Sequence, residues 1–193
     1  MDSYARAGWA HESASFFQRL KSDFPKVIPD KITYSAVILA HARAGDPAGA
    51  SWWLLQLLDT IPDQADAIAF TCVIDAYSKL GDIEQASLWL SRMEQRNVSP
   101  TVVTYNAIIN GHAQTGDLKG AVEVLRKMES LGISPTLASY NCILNAAAKK
   151  QNGRQAQYYF DELRHRGLRP TIVTFTSLAT AMKKSPFQGE DIF

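Results

Sequence analysis

Through residues 102–130 the apolar side chains recur at intervals of three and four. Tyr105, Ile108 and Ile109, with His112 in line, make one stripe, and Leu118, Ala121, Val122, Leu125 and Met128 make a second. Spacing of that kind lays side chains along one face of a helix, so the segment predicts two amphipathic helices. Gly116 stands between the stripes and can take the left-handed backbone that closes a helix, while Asp117 can cap the next one. Gly132 ends the second stripe, and Pro135 keeps it from resuming.

The same pattern returns along the chain. AIAFTCVIDAYSKLGDIEQASLWLSRMEQRNVSPT, VVTYNAIINGHAQTGDLKGAVEVLRKMESLGISPT and LASYNCILNAAAKKQNGRQAQYYFDELRHRGLRPT begin at Ala67, Val102 and Leu137, a period of 35. The boundaries read as copies at 31–66 (one residue longer), 67–101, 102–136 and 137–171, with a partial copy at 172–193. Residues 1–30 read as most of a further copy with a truncated first helix, because YARAG at 4–8 matches the ends of first helices elsewhere. The register holds column by column: aromatics Tyr34, Phe70, Tyr105, Tyr140 and Phe175; glycines Gly45, Gly81 and Gly116; alanines Ala50, Ala86, Ala121 and Ala156; then Leu57, Met93, Met128 and Leu163. Gln151 occupies the glycine column in the copy at 137–171 and is followed by Asn152 and Gly153, which predicts a shifted turn there. One helix pair of this size cannot bury its own apolar face, so neighbouring pairs must stack. The expected fold is an all-α solenoid of helix pairs, one continuous array with no single globular core.

Composition narrows the function. With 46% hydrophobic and 20% charged residues the chain of 193 residues has material for a core and is not wholly disordered. Twenty Lys and Arg against 19 Asp and Glu give a net charge of +1, so any grip on nucleic acid must come from a local footprint rather than bulk charge. Cys72 and Cys142 are too few for a disulfide framework or a four-sulfur zinc site. The most apolar stretches, 52–58 and 67–74, fall short of the roughly 18 residues that a membrane span needs, and no direct membrane insertion is expected. The opening residues carry Asp2 and Glu12 and no apolar core, which reads as neither a secretory signal nor an acid-poor transit peptide.

In an array, function recurs in columns. One polar column follows the aromatic: Ser35, Thr71, Asn106, Asn141 and Thr176. A second closes each copy: Asp66, Thr101, Thr136 and Thr171. Both hold short donors and acceptors suited to a base edge, although the same residue types are the preferred helix N-caps. The column two before the aromatic is aliphatic (Ile32, Ile68, Val103, Ala138 and Val173), either a set of stiff wedges or helix packing. A basic column near the ends of first helices (Arg43, Lys79, Lys149 and Lys184, broken by Gln114) reads as a cation ladder for phosphates or as complement to the helix dipole. On the second helices Trp52, Leu88 and Tyr158, beside Trp53, Trp89 and Tyr159, form a candidate apolar protein interface at a position where Glu123 is polar. His41 and His112 share their column with Tyr77 and Ala147, and the histidines share no metal spacing with the cysteines. No catalytic constellation, cofactor motif or small-molecule site is evident, and an enzyme is not expected.

The copy VVTYNAIINGHAQTGDLKGAVEVLRKMESLGISPT resembles a P-type pentatricopeptide repeat, and the resemblance covers residues 31–185, more weakly the first 30. It implies a right-handed superhelical solenoid of antiparallel helix pairs that binds single-stranded RNA, one nucleotide per repeat. In the family the residue after the aromatic and the closing residue read the base, and the aliphatic residue sandwiches it. Carried over, Ser35 with Asp66 resembles a weak guanine reader, Thr71 with Thr101 a purine reader, and Asn106 with Thr136 and Asn141 with Thr171 pyrimidine readers, for an element 5′-G-purine-Y-Y-3′. The resemblance also implies a mitochondrial or plastid location and a role in RNA processing, stability or translation. The alternative is a scaffold subunit of an organellar ribosome or membrane complex. Stacking at ~1–3 kcal/mol per base over four copies only offsets an association cost of about 4–15 kcal/mol. The isolated chain is therefore expected to bind RNA weakly, as part of a longer array or inside a larger assembly.

Overall fold

The computed structural model describes residues 9–24, 26 and 28–183. Among them are ten α-helices and one 3₁₀ turn, with no strand: α1 (Ala10–Asp23), α2 (Lys31–Arg43), α3 (Pro47–Thr60), the 3₁₀ turn (Pro62–Gln64), α4 (Ala67–Lys79), α5 (Ile83–Gln95), α6 (Val102–Thr115), α7 (Leu118–Ser130), α8 (Leu137–Lys149), α9 (Gly153–His165) and α10 (Ile172–Met182). The first helices α2, α4, α6, α8 and α10 start where the sequence copies start. YARAG at 4–8 and the cation Lys184 lie outside the described residues. The extra residue of the copy at 31–66 goes into the second helix: α3 has 14 residues where α5 has 13.

The chain forms two compact units, Met1–Ala107 and Ile108–Phe193. In the first, α2 packs on α3 and also on the next first helix, α4, while α3 packs on α4 and α4 on α5. In the second, α8 packs on α7, α9 and α10, and α9 on α10. In each unit a first helix, α2 or α8, therefore meets both its own partner and the first helix of the following copy, the stacking of an all-α solenoid of helix pairs. The repeated columns are the core. Ala50, Ala86, Ala121 and Ala156 are fully buried, as are Leu57, Met93, Met128 and Leu163. The small alanine column lets paired helices approach closely, and the long side chains below it fill the space between pairs.

Within each pair the turn is set by one residue with positive φ. Gly45, Gly81 and Gly116 take φ of 74°, 76° and 73°. Gln151 was expected to shift this turn and does not. It adopts the same left-handed backbone (φ 54°), and Asn152 caps α9 through the Gln155 N–H at 3.1 Å. The neighbouring cap and helix hold the chain on course at a cost of roughly 1–2 kcal/mol for a side chain in that region. The second helices share one cap: Asp46, Asp82 and Asp117 accept from the N–H groups of Gly49, Gln85 and Gly120 at 2.8, 3.1 and 3.0 Å.

The two histidines of their column each meet the aspartate that caps the following helix. His41 Nδ1 lies 2.8 Å from Asp46 Oδ2, and His112 Nδ1 lies 2.9 Å from Asp117 Oδ2. Burial pushes the Asp46 carboxyl up, but the Gly49 N–H and the His41 ring together hold it below its usual range. A Cβ at Gly49 or Gly120 would run into the matching histidine ring and aspartate, so glycine goes with histidine in these two copies.

Candidate nucleic-acid interface

The start of each first helix carries three of the candidate columns. The closing residues are its N-caps. Asp66 Oδ1 accepts from the Ile68 and Ala69 N–H groups at 3.1 Å each, and Lys31 Nζ approaches its carboxylate at 3.7 Å. Thr101 and Thr104 form a reciprocal pair: the Thr101 N–H donates to Thr104 Oγ1 at 3.2 Å, and the Thr104 N–H donates to Thr101 Oγ1 at 3.4 Å. Thr136 with Ser139 and Thr171 with Thr174 make the same capping box. The capping reading of this column thus holds in all four copies. Each threonine spends one lone pair on its own helix and stands exposed at the helix start.

The aliphatic column does not pack against neighbouring helices. Ile32, Ile68, Val103 and Val173 are 70%, 68%, 61% and 60% exposed, and Ala138 is exposed too. Such exposure is uncommon for large aliphatic groups and here repeats at one helical position. The column after the aromatic stands three residues further on, on the same helix face. Ser35, Thr71, Asn106 and Asn141 are half-buried and Thr176 is exposed. Thr71 Oγ1 lies 2.7 Å from Thr104 Oγ1, and Asn141 Oδ1 accepts from Thr174 Oγ1 at 2.8 Å. Thr176 instead donates to the Ile172 carbonyl of its own helix at 2.8 Å.

The residues that make these bonds were not singled out from the sequence. Thr33, Ala69, Thr104, Ser139 and Thr174 directly precede each aromatic, and a hydroxyl in four of five was the available signal. Thr104, Ser139 and Thr174 are fully buried. Asp30 was also passed over. It caps α2 by accepting from the Thr33 N–H and hydroxyl at 2.9 and 2.7 Å, which makes it the closing residue of the copy at 1–30. These Thr33 bonds hold the Asp30 carboxyl below its ordinary value.

The basic column is exposed but largely engaged. Lys79 Nζ pairs with Asp75 at 2.6 Å, and Lys149 Nζ donates to the Gln114 carbonyl at 2.9 Å at the end of α6. Lys149 therefore complements the C-terminus of the preceding first helix, as the dipole reading expects. Arg43 is exposed at the end of α2.

On the second helices, Trp52, Leu88 and Tyr158 are 50%, 43% and 58% exposed. Their neighbours Trp53, Trp89 and Tyr159, read as part of the same strip, are instead buried. Successive helical residues differ by about 100° in direction, so one of each pair turns inward. Trp52 meets Trp53, and Tyr158 meets Tyr159, edge to face at 4.8 and 5.0 Å. Cys72 and Cys142 are pushed up to about 11 by burial. Among the described residues no three His, Cys, Asp or Glu side chains gather as a metal site, and no helix is long and apolar enough to cross a membrane.

Comparison with known proteins agrees with the fold. The PPR repeat family matches residues 65–106, 100–149 and 135–184, and a PPR repeat matches 32–59. The chain belongs to the pentatricopeptide repeat family. The crystal structure of the pentatricopeptide repeat protein PPR10 from maize is similar over 90% of this chain, with a TM-score of 0.68 and 25% identity. The chain spans 24% of that protein. PPR10 in complex with an 18-nt psaJ RNA element matches at a TM-score of 0.59 and 19% identity, over 93% of this chain and 31% of that one. The PPR domain of Arabidopsis thaliana protein-only RNase P 1, in complex with tRNA, matches at 0.74 and 16% identity, over 94% of both chains. No curated protein sequence matches this chain.

Proposed function

We propose that this chain binds single-stranded RNA, one nucleotide per repeat, as a non-catalytic adaptor in mitochondrial or plastid RNA processing, stability or translation. The observation that carries the reading is the exposed aliphatic column. Ile32, Ile68 and Val103 in the first unit and Ala138 and Val173 in the second stand out from first helices, three residues from a polar side chain and beside a capped helix start. An aliphatic wedge can lie against a base while hydroxyls and amides at its edge select it. The RNA bound by PPR10 and by the RNase P domain supports this use of the fold. Readers Ser35 with Asp66, Thr71 with Thr101, Asn106 with Thr136 and Asn141 with Thr171 give 5′-G-purine-Y-Y-3′. Phosphate contact falls to Arg43, Lys79 and Lys149, and the pairing of the lysines keeps that contribution small.

The test is titration of the full chain with a short single-stranded RNA carrying that element. Ile68→Asp or Val173→Asp is expected to weaken binding by about tenfold or more while leaving the melting temperature unchanged. Unchanged affinity in both variants would overturn the assignment. A second reading, a protein scaffold, rests on the exposure of Trp52, Leu88 and Tyr158. It requires that Trp52→Glu with Tyr158→Glu abolish recovery of a partner from organelle extract while RNA affinity stays as it was.

A further inference from the structure

The buried hydroxyl at the third position of a first helix reaches back to the base-reading side chain of the copy before it. Thr174 Oγ1 accepts from the Thr171 N–H at 3.0 Å and donates to Asn141 Oδ1 at 2.8 Å. The Thr174 hydroxyl thus gives its one proton to Asn141 and a lone pair to the Thr171 backbone. The Asn141 oxygen is then turned toward Thr174, and its NH2 group is the end left for a ligand. Thr171 Oγ1, 3.2 Å from Thr174 Oγ1, stands beside it. The first unit repeats the arrangement at the same offset. The Thr101 N–H donates to Thr104 Oγ1 at 3.2 Å, and Thr104 Oγ1 lies 2.7 Å from Thr71 Oγ1. Both central hydroxyls are fully buried and shielded from competing water. For Ser35, the reader of the copy at 31–66, the corresponding residue is Ala69 of the next copy, which offers no hydroxyl at all.

We propose that the third residue of a first helix, as Thr174 stands behind Asn141 and Thr104 behind Thr71, is a positioning residue that sets which atoms the reader of the preceding repeat presents to RNA. It acts through the reader and does not touch the base. With Thr174 in place, Asn141 offers a donor and favours a pyrimidine carbonyl. With Ala69 in place, Ser35 can rotate its hydroxyl, so its preference for guanine is weak. Selectivity along the array is therefore uneven for a reason that lies one repeat downstream of each reader. This inference rests on the RNA-binding reading above.

The experiment uses the full chain and two sets of four RNA oligonucleotides. One set varies only the nucleotide opposite the copy at 137–171, and the other only the nucleotide opposite 31–66. Wild type is expected to prefer pyrimidines about tenfold in the first set and to differ by less than about threefold in the second. Thr174→Val keeps the shape and removes the hydroxyl, and it should flatten the first set to within about threefold. Thr174→Ser should restore the preference, which a merely structural role for the methyl group would not do. Ala69→Thr should sharpen the second set, and this gain decides the matter even if Thr174→Val melts early. Binding by wild type with base ratios unchanged in Thr174→Val and Ala69→Thr overturns this inference and leaves the RNA reading standing. Failure of wild type to bind any oligonucleotide overturns both.

Discussion

Tyr34 and Tyr140 occupy the same column in the two units, and both rings are buried, yet their hydroxyls end in different chemistry. In the first unit the Tyr34 hydroxyl donates to Thr60 Oγ1 at 3.1 Å. Its ring stands 4.8 Å from Phe17 and 6.4 Å from Trp53, and Trp53 Nε1 donates to His41 Nε2 at 3.2 Å. In the second unit the Tyr140 hydroxyl donates to Glu162 Oε1 at 3.0 Å. Arg126 reaches the same carboxylate with two N–H groups, at 3.0 and 2.9 Å. Arg166 joins at 3.1 Å and also pairs with Glu129. Burial pushes the Glu162 carboxyl up, but Arg126, Tyr140 and Arg166 outweigh it and hold the group below its usual value. Burial and the bond to Glu162 push the Tyr140 phenol up. The repeat thus fixes where a ring stands and leaves open whether neutral aromatics or ions surround it.

That contrast can be broken from either side. The largest effect is expected from Trp53→Ala, which removes a ring against Phe17 and the His41 bond, and should cost about 3–5 kcal/mol in urea unfolding. Glu162→Gln should cost about 1–3 kcal/mol at neutral pH, because two guanidinium groups lose their charged acceptor. Glu162 has a lowered carboxyl value in the folded state, so its contribution is present above the ordinary Glu range near 4.3 and fades as pH falls through the folded value. The gap between wild type and Glu162→Gln should therefore close in acid, whereas the Trp53→Ala gap should persist. Equal pH dependence in the two variants would mean that the units are not held by different forces. The smallest effect is a gain: Gln151→Gly should stabilise the chain by about 1 kcal/mol in thermal melts, by relieving a left-handed side chain.

Much of the fold was legible in the residues. The aromatic, alanine and long apolar columns are core positions, and all but Phe175 among the aromatics are buried. Phe175 is 54% exposed, on the last described helix. The turn at Gln151 was misread because cap and packing override a local preference of about 1 kcal/mol. In the candidate site, the capping role of the closing threonines and the placement of the aliphatic column could not be chosen from residue type, since threonine and valine suit either reading. The hydroxyl bonds between Thr71 and Thr104 and from Thr174 to Asn141 link residues 33 apart, and only the stacking of one copy on the next brings them together.

By itself the sequence determined the helix pairs, their 35-residue period and which columns are buried, because hydrophobic spacing and the glycine stops act within a single repeat. Tertiary structure decided which lone pairs are already taken: that Lys149 is held by Gln114, that Glu162 gathers two arginines and a tyrosine, and that Asn141 has its oxygen engaged. Hydrogen-bond partners depend on distances of about 3 Å between neighbouring copies, and a one-dimensional pattern carries no such distances.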